Sequence, residues 1–195
     1  LWDGAMGTSI QQQKLAPGAW GEHPNCQEYL VVSHPQTIRD IHNDFLDAGA
    51  RVIETDTFGG NRLTLESHGL GGRTREINRV AAALARESAD AYSRPDRLCF
   101  VAGSMGPGSL LPSLGHVDFD SLREAYYLQA LGLVEGGVDL IQVETAQDLL
   151  QVKAAVIGAR QAFQECGRTL PVILQVTLEG GKMLLGSDIL TAMHT

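Results

Sequence analysis

The sequence is poor in cysteine, and basic groups are outnumbered by acids. Cys26, Cys99 and Cys166 stand far apart, with no C-x-x-C pair among them. That spacing argues against a disulfide framework and against a zinc site built from these three. It fits free thiols in a reducing cytoplasm. Lysine and arginine total 15 against 23 acids, giving a formal net charge of −8, and no basic run occurs. Nucleic acids and anionic membranes both require clustered positive charge, so neither is an expected partner. No apolar stretch approaches the roughly 20 residues of a membrane span. No signal peptide is visible at the start, and none is expected.

What is present suits a packed domain. Hydrophobic residues make up 44% of 195 positions and charged residues 19%, enough for one core in one domain or a large piece of one. The chain opens on Leu1-Trp2, which reads as the end of a strand, and stops at Thr195 inside the helix-like stretch "SDILTAMHT". Both ends are therefore expected to be truncations.

Strand and helix patterns alternate along the chain. Ile38, Ile41, Phe45 and Leu46 form a helical stripe after Pro35, with Ser33 and Gln36 at capping-box spacing and Gly49 as a stop. A strand is expected over 51–58. A helix follows over 74–92, with Ile77, Val80, Leu84 and Ala91 on one side, and then a strand over 98–104. A helix over 119–136 carries Ser121 and Glu124 as a second capping-box candidate. A strand over 138–145, a helix over 147–165 and a strand over 171–178 complete the series. Strands joined by helical crossovers form a parallel sheet, either an open doubly wound sheet or a (β/α)₈ barrel. A barrel of about 250 residues would be cut short here.

Polar residues gather at one end of every strand: Asp3 and Gly4, then Glu54 to Thr57, then Ser104, then Glu144, Thr145 and Asp148. In parallel α/β folds this is the end where ligands bind. Singly, each has a plainer role: Asp-Gly is a turn, and Thr145 and Asp148 suit helix caps. "GSMGPG" misses the dinucleotide fingerprint. Of the six histidines none has metal-ligand spacing, and His34 and His42 read as structural or solvated. Pleating splits "ETDT" between two faces. The threonines are expected inward, because an unpaired acid is costly to desolvate, and Glu54 and Asp56 outward. Carboxylates such as Asp3 and Glu144 suit an ammonium group or a hard metal ion. A small amino acid fits this rim, and a Mg²⁺-dependent enolate site fits less well.

"LWDGAMGTSIQ", "VSHPQTIRDIHNDFLDAGARVIETDTFGGNRLTLESHG", "INRVAAALARESAD", "VAGSMGP" and "GGVDLIQVET" resemble the homocysteine S-methyltransferase domain, along the whole chain and in order. The resemblance implies a (β/α)₈ TIM barrel, truncated here to about its first five β/α units, with residues 1–195 as a partial homocysteine-binding domain lacking the C-terminal strands. It implies that Asp3 and Gly4 hold the amino-acid end of homocysteine, that Glu144 receives its ammonium, and that Thr55, Thr57 and Ser104 line the pocket. Asp148 is a weaker match. Asp56 stands where relatives commonly carry Asn and is given no role.

The resemblance further implies zinc, which would present homocysteine as a thiolate. Its cysteine ligands are expected beyond Thr195, so the residues at hand are expected to be inactive alone. "CQEYLVVSHPQTIRDIHNDF" leans toward the cobalamin-dependent methionine synthase type, in which methylcobalamin, recharged from methyltetrahydrofolate by other domains, donates the methyl group. A stand-alone or reductase-fused homocysteine methyltransferase with another donor stays open. So do a non-catalytic amino-acid-binding barrel and a Mg²⁺-dependent barrel enzyme.

Overall fold

The computed structural model describes residues 1–194. Thr195, the last residue of the expected C-terminal helical stretch, lies outside the described residues. The elements run α1 (Met6–Gln12), α2 (Leu30–Ser33), α3 (Pro35–Asp47), β1 (Val52–Glu54), α4 (Arg62–Leu65), α5 (Thr74–Tyr92), β2 (Phe100–Met105), α6 (Phe119–Gly136), β3 (Leu140–Ala146), α7 (Leu149–Glu165), β4 (Val172–Val176) and α8 (Ile189–His194), with short 3₁₀ turns between some of them.

The four strands lie in chain order, each parallel to the next. The N-terminal segment adds an abbreviated fifth. Trp2 bridges Val52 in parallel, the Arg51 N–H donates to the Leu1 carbonyl at 2.8 Å, and the Asp3 N–H donates to the Val52 carbonyl at 3.0 Å.

The sheet's two faces differ as period-2 patterning demands. Ile53, Val101, Met105, Ile141 and Val143 point outward into one buried cluster with Ala82, Ala85, Tyr126, Leu133, Ala155 and Ala159 of the covering helices. Full burial of a side chain such as Ile or Val is worth roughly 1.5–3 kcal/mol, so this layer carries the fold. A second cluster, with Ile38, Ile41, Ile77 and Leu84, joins α3 to α5. The inner face carries Glu54 and Gln142, which hydrogen-bond to each other across β2. Ile173 and Leu174 of β4 are both exposed, so that strand is an open edge.

Local details depart from the sequence reading. Neither capping box forms. Ser33 Oγ donates back to the Tyr29 carbonyl and Gln36 donates to Asp40, while Pro35 opens α3 with His34 at the cap position. α6 begins earlier than the expected box, and Asp118 caps it by accepting from the Ser121 N–H at 2.8 Å. The buried stripe of α5 continues through Ala85 and Ala89, leaving Val80 at its margin and Ala91 exposed. Among the described residues no helix is long and apolar enough to cross a membrane.

Candidate functional site

A cavity of about 480 Å³ opens where β1, β2 and β3 end, closed on one side by the segment leading into α1. Asp3, Gly4, Thr55, Thr57, Ser104 and Glu144 line it, so six of the seven residues singled out in the sequence meet in one place. Glu28, Glu54 and Asp56 line it as well. Among the described residues no lysine, arginine or histidine does.

The strand expected over 51–58 is cut to Val52–Glu54. The Thr55 N–H still donates to the Ala102 carbonyl, but the chain then folds back, with Thr57 N–H on the Thr55 carbonyl at 2.8 Å and Gly60 N–H on the Thr57 carbonyl at 2.8 Å. Alternation therefore ends at Glu54, which faces inward beside Gln142. This corrects the expectation that both acids turn away.

The two threonines are buried and tie the end of β1 to β2. Thr57 Oγ1 donates to the Ser104 carbonyl at 2.7 Å. With its single hydrogen committed there, it must accept from Thr55 Oγ1, 2.6 Å away. Thr55 Oγ1 in turn accepts from the Ser104 N–H at 3.0 Å. The ring closes on Ser104, and neither hydroxyl keeps a hydrogen for a ligand. Ser104 Oγ spends its own on Glu144 Oε1.

What faces the cavity is therefore a set of acceptors. Asp3 Oδ2 accepts from the Glu54 N–H at 2.8 Å, and Gln142 Nε2 donates to Glu54 Oε1 at 2.5 Å. Burial pushes the Asp3 carboxyl up to about 7; the charges of Glu54 and Glu144 add to this, and the Glu54 N–H opposes it. Burial also lifts Glu54 to about 7, aided by Glu144 and opposed by Gln142. Asp56 is fully enclosed, and burial followed by the charge of Glu28 holds it well above the usual carboxylate range. A protonated Asp56 is nearly isosteric with Asn.

Backbone irregularity surrounds Glu144. Thr145 takes φ of 56°, and the β3–β4 register shifts between Val143 and Ala146. A β-branched residue in the left-handed region is a genuine outlier of a kind that gathers at binding sites.

Asp148 is not brought to the cavity. It is buried at the cap of α7, accepting from the Leu150 N–H at 2.8 Å and from both the N–H and the hydroxyl of Ser113, at 2.9 and 2.7 Å. Its acceptors serve the fold. The three cysteines stay apart as well. Cys26 packs beneath α2 and α3, Cys99 precedes β2 at the far end of the sheet, and Cys166 ends α7. Among the described residues no three His, Cys, Asp or Glu side chains are placed to hold a metal ion. The residues at hand do not fit zinc.

Sequence reasoning placed Glu54 at the rim but turned it outward, and it missed Glu28 and Gln142. The signal for Glu54 was its place opposite Ile53, whose side chain must face the helices. Nothing local marks Glu28, which reaches the cavity from a 3₁₀ turn and accepts from the Gly59 N–H at 2.8 Å.

Among solved structures, the metallated form of the homocysteine methyltransferase MmuM from Escherichia coli superposes with a TM-score of 0.78 at 22% identity, covering 100% of this chain and 69% of that one. Its oxidised form gives 0.74 at 21%, covering 96% and 65%. At these identities the likeness concerns fold alone, and it places the four-stranded arc as part of a (β/α)₈ barrel. Methionine synthases of Mycobacterium tuberculosis (strain ATCC 25618 / H37Rv) and Mycobacterium leprae (strain TN) are 45% and 43% identical over 192 residues. Each match takes in 98% of this chain and 16% of the relative, so the chain spans a small part of those proteins. The profile of the homocysteine S-methyltransferase family matches residues 1–195 from end to end. The chain belongs to the homocysteine S-methyltransferase family.

Proposed function

We propose that this chain is the homocysteine-binding part of a methionine synthase. The observation that carries the reading is the cavity's chemistry: acidic acceptors, no basic side chain, at the ligand-binding end of a parallel sheet. An amino acid's ammonium group supplies the N–H donors that Asp3 and Glu144 lack. Gly4 keeps the chain beside Asp3 slim, since a Cβ there would stand 3.0 Å from the Phe45 ring. Ser104 orients Glu144, and the threonine ring keeps Ser104 in place. Family membership and the two methionine synthase relatives support homocysteine as the amino acid and methyl transfer to its sulfur as the reaction.

The same reading places zinc ligands, and the handling of methylcobalamin and methyltetrahydrofolate, in parts of the polypeptide beyond Thr195, in a cytoplasmic enzyme. Bound zinc would supply a thiolate at neutral pH. Residues 1–195 contribute binding and orientation of the amino-acid end. The test is methionine formation by the full-length protein from homocysteine, with methylcobalamin and with methyltetrahydrofolate as donors. Turnover with a different methyl donor alone would favour a homocysteine methyltransferase of the other kind. Absence of homocysteine binding would overturn the reading.

A further inference from the structure

Three carboxylates line the cavity from three separate segments: Asp3 before α1, Glu54 at the end of β1 and Glu144 on β3. They are close enough that Asp3 feels the charge of both others and Glu54 that of Glu144. Each has one oxygen already engaged: Asp3 Oδ2 by the Glu54 N–H, Glu54 Oε1 by Gln142, and Glu144 Oε1 by Ser104. That leaves Asp3 Oδ1, Glu54 Oε2 and Glu144 Oε2 for a ligand. An ammonium group carries three N–H donors.

The remaining groups facing this space are acidic too. Glu28 enters from the turn before α2 and Asp56 from the exit of β1, and among the described residues no cationic side chain lines the cavity. Asp56 has Oδ2 buried without a hydrogen-bond partner among the described residues, and burial, followed by the charge of Glu28, holds its carboxyl well above the usual carboxylate range. Three uncompensated negative charges in one part-buried site repel strongly. A proton kept on one of the carboxyl groups relieves that repulsion, in line with the upward shifts of Asp3 and Glu54.

We propose that Glu54 is a third ligand-contacting carboxylate of this pocket, and that the Asp3–Glu54 pair gives up a proton when the ligand's ammonium group enters between it and Glu144. The proposal rests on the reading of the pocket as an amino-acid site. The step balances. A carboxyl O–H bond breaks and its proton goes to solvent, while an ammonium N–H takes up the freed oxygen. One positive charge enters and one leaves. A pocket built this way selects a cationic amine, and neutral isosteres do not displace the proton.

The test is calorimetric titration of the full-length protein with L-methionine, which has the ammonium group and no thiol proton to lose, beside L-homocysteine. Buffers of different ionisation enthalpy count the protons. On the order of one proton should be released per methionine near pH 6.5, falling toward zero above about pH 8, with affinity rising up to about tenfold per pH unit across that window. Glu54→Gln should flatten this profile. Gln142→Met, which removes the donor that favours ionised Glu54, should shift it to higher pH. Methionine binding without proton release, or an unchanged profile in Glu54→Gln, overturns the proposal and leaves the homocysteine reading standing. Failure of both amino acids to bind overturns the two together.

Discussion

The backbone N–H of Glu54 donates to Oδ2 of Asp3 at 2.8 Å, joining the N-terminal segment to the end of β1 at the mouth of the cavity. The bond gives Asp3 two separable roles. Asp3→Ala removes the acceptor and should cost about 1–2 kcal/mol of stability. Asp3→Asn keeps an acceptor and should lose little stability, while weakening homocysteine binding at least tenfold. Denaturant midpoints and binding titrations of both variants separate the roles. Equal loss of stability in the two would show that the charge, not the bond, holds this corner.

Asp148 marks the opposite case. It caps α7 and ties down the Ser113 loop, so Asp148→Ala should destabilise by about 1–3 kcal/mol. Homocysteine affinity should stay within about twofold at temperatures where the variant is folded. A large affinity loss in a stable variant would place Asp148 in the binding machinery after all.

Gly60 is enclosed by the site's supports. A Cβ there would meet Asn78 Oδ1 at 2.7 Å and the Thr57 carbonyl at 2.8 Å. Gly60→Ala should therefore cost about 1–3 kcal/mol, in the range of overpacked cores. It should also disturb the Thr57–Ser104 bond, since the Thr57 carbonyl also accepts from the Gly60 N–H and from Gln129. Thermal unfolding and homocysteine affinity would fall together. A Gly60→Ala protein with wild-type melting would contradict the close packing.

Stability should depend on pH through opposing groups. Glu54 rises on folding from 4.5 to about 7, so the folded chain holds more protons than the unfolded chain between these values. Its contribution is greatest below about pH 4.5 and is lost as pH climbs through 7. His42 runs the other way. Burial, followed by the charge of Arg39, lowers it from 6.5 to about 4, so stability falls as pH drops through that window. Asp3, raised from 3.8 to about 7 in part by the charge of Glu54, follows the first trend too, so Glu54→Gln removes the Glu54 share of it and weakens the Asp3 share. From pH 4.5 to 7 the variant's denaturant midpoint should lose less, or gain more, than the wild type's. Parallel curves would show that Glu54 titrates alike in both states.

Much of the fold was legible because the apolar pattern has one period in strands and another in helices, and the two alternate along the chain. Ile38, Ile41, Ile77 and Leu84 are buried as their spacing requires. What was not legible depends on where an element stops. The reading of "ETDT" assumed a strand through Phe58, whereas β1 ends at Glu54 and the fold-back at Thr55 breaks the parity. The Ser33–Gln36 spacing was real, but α3 starts at Pro35 with His34, not Ser33, at the cap position, so the box has no cap residue to close on. The gathering of Asp3, Thr55, Ser104 and Glu144 could be read from the sequence because parallel topology sends every strand's end to the same rim. Asp148 shared that rim in sequence, yet a helix cap and a ligand contact call for the same residue type, and only the position of Ser113 decides between them.

The most direct test of the account is a titration of the full-length protein with L-homocysteine at neutral pH, wild type beside Glu144→Gln. The account predicts saturable binding that weakens at least tenfold in Glu144→Gln, while the variant melts as the wild type does. Binding of equal strength in both proteins would contradict it, because the acidic rim would then not be what holds the amino acid.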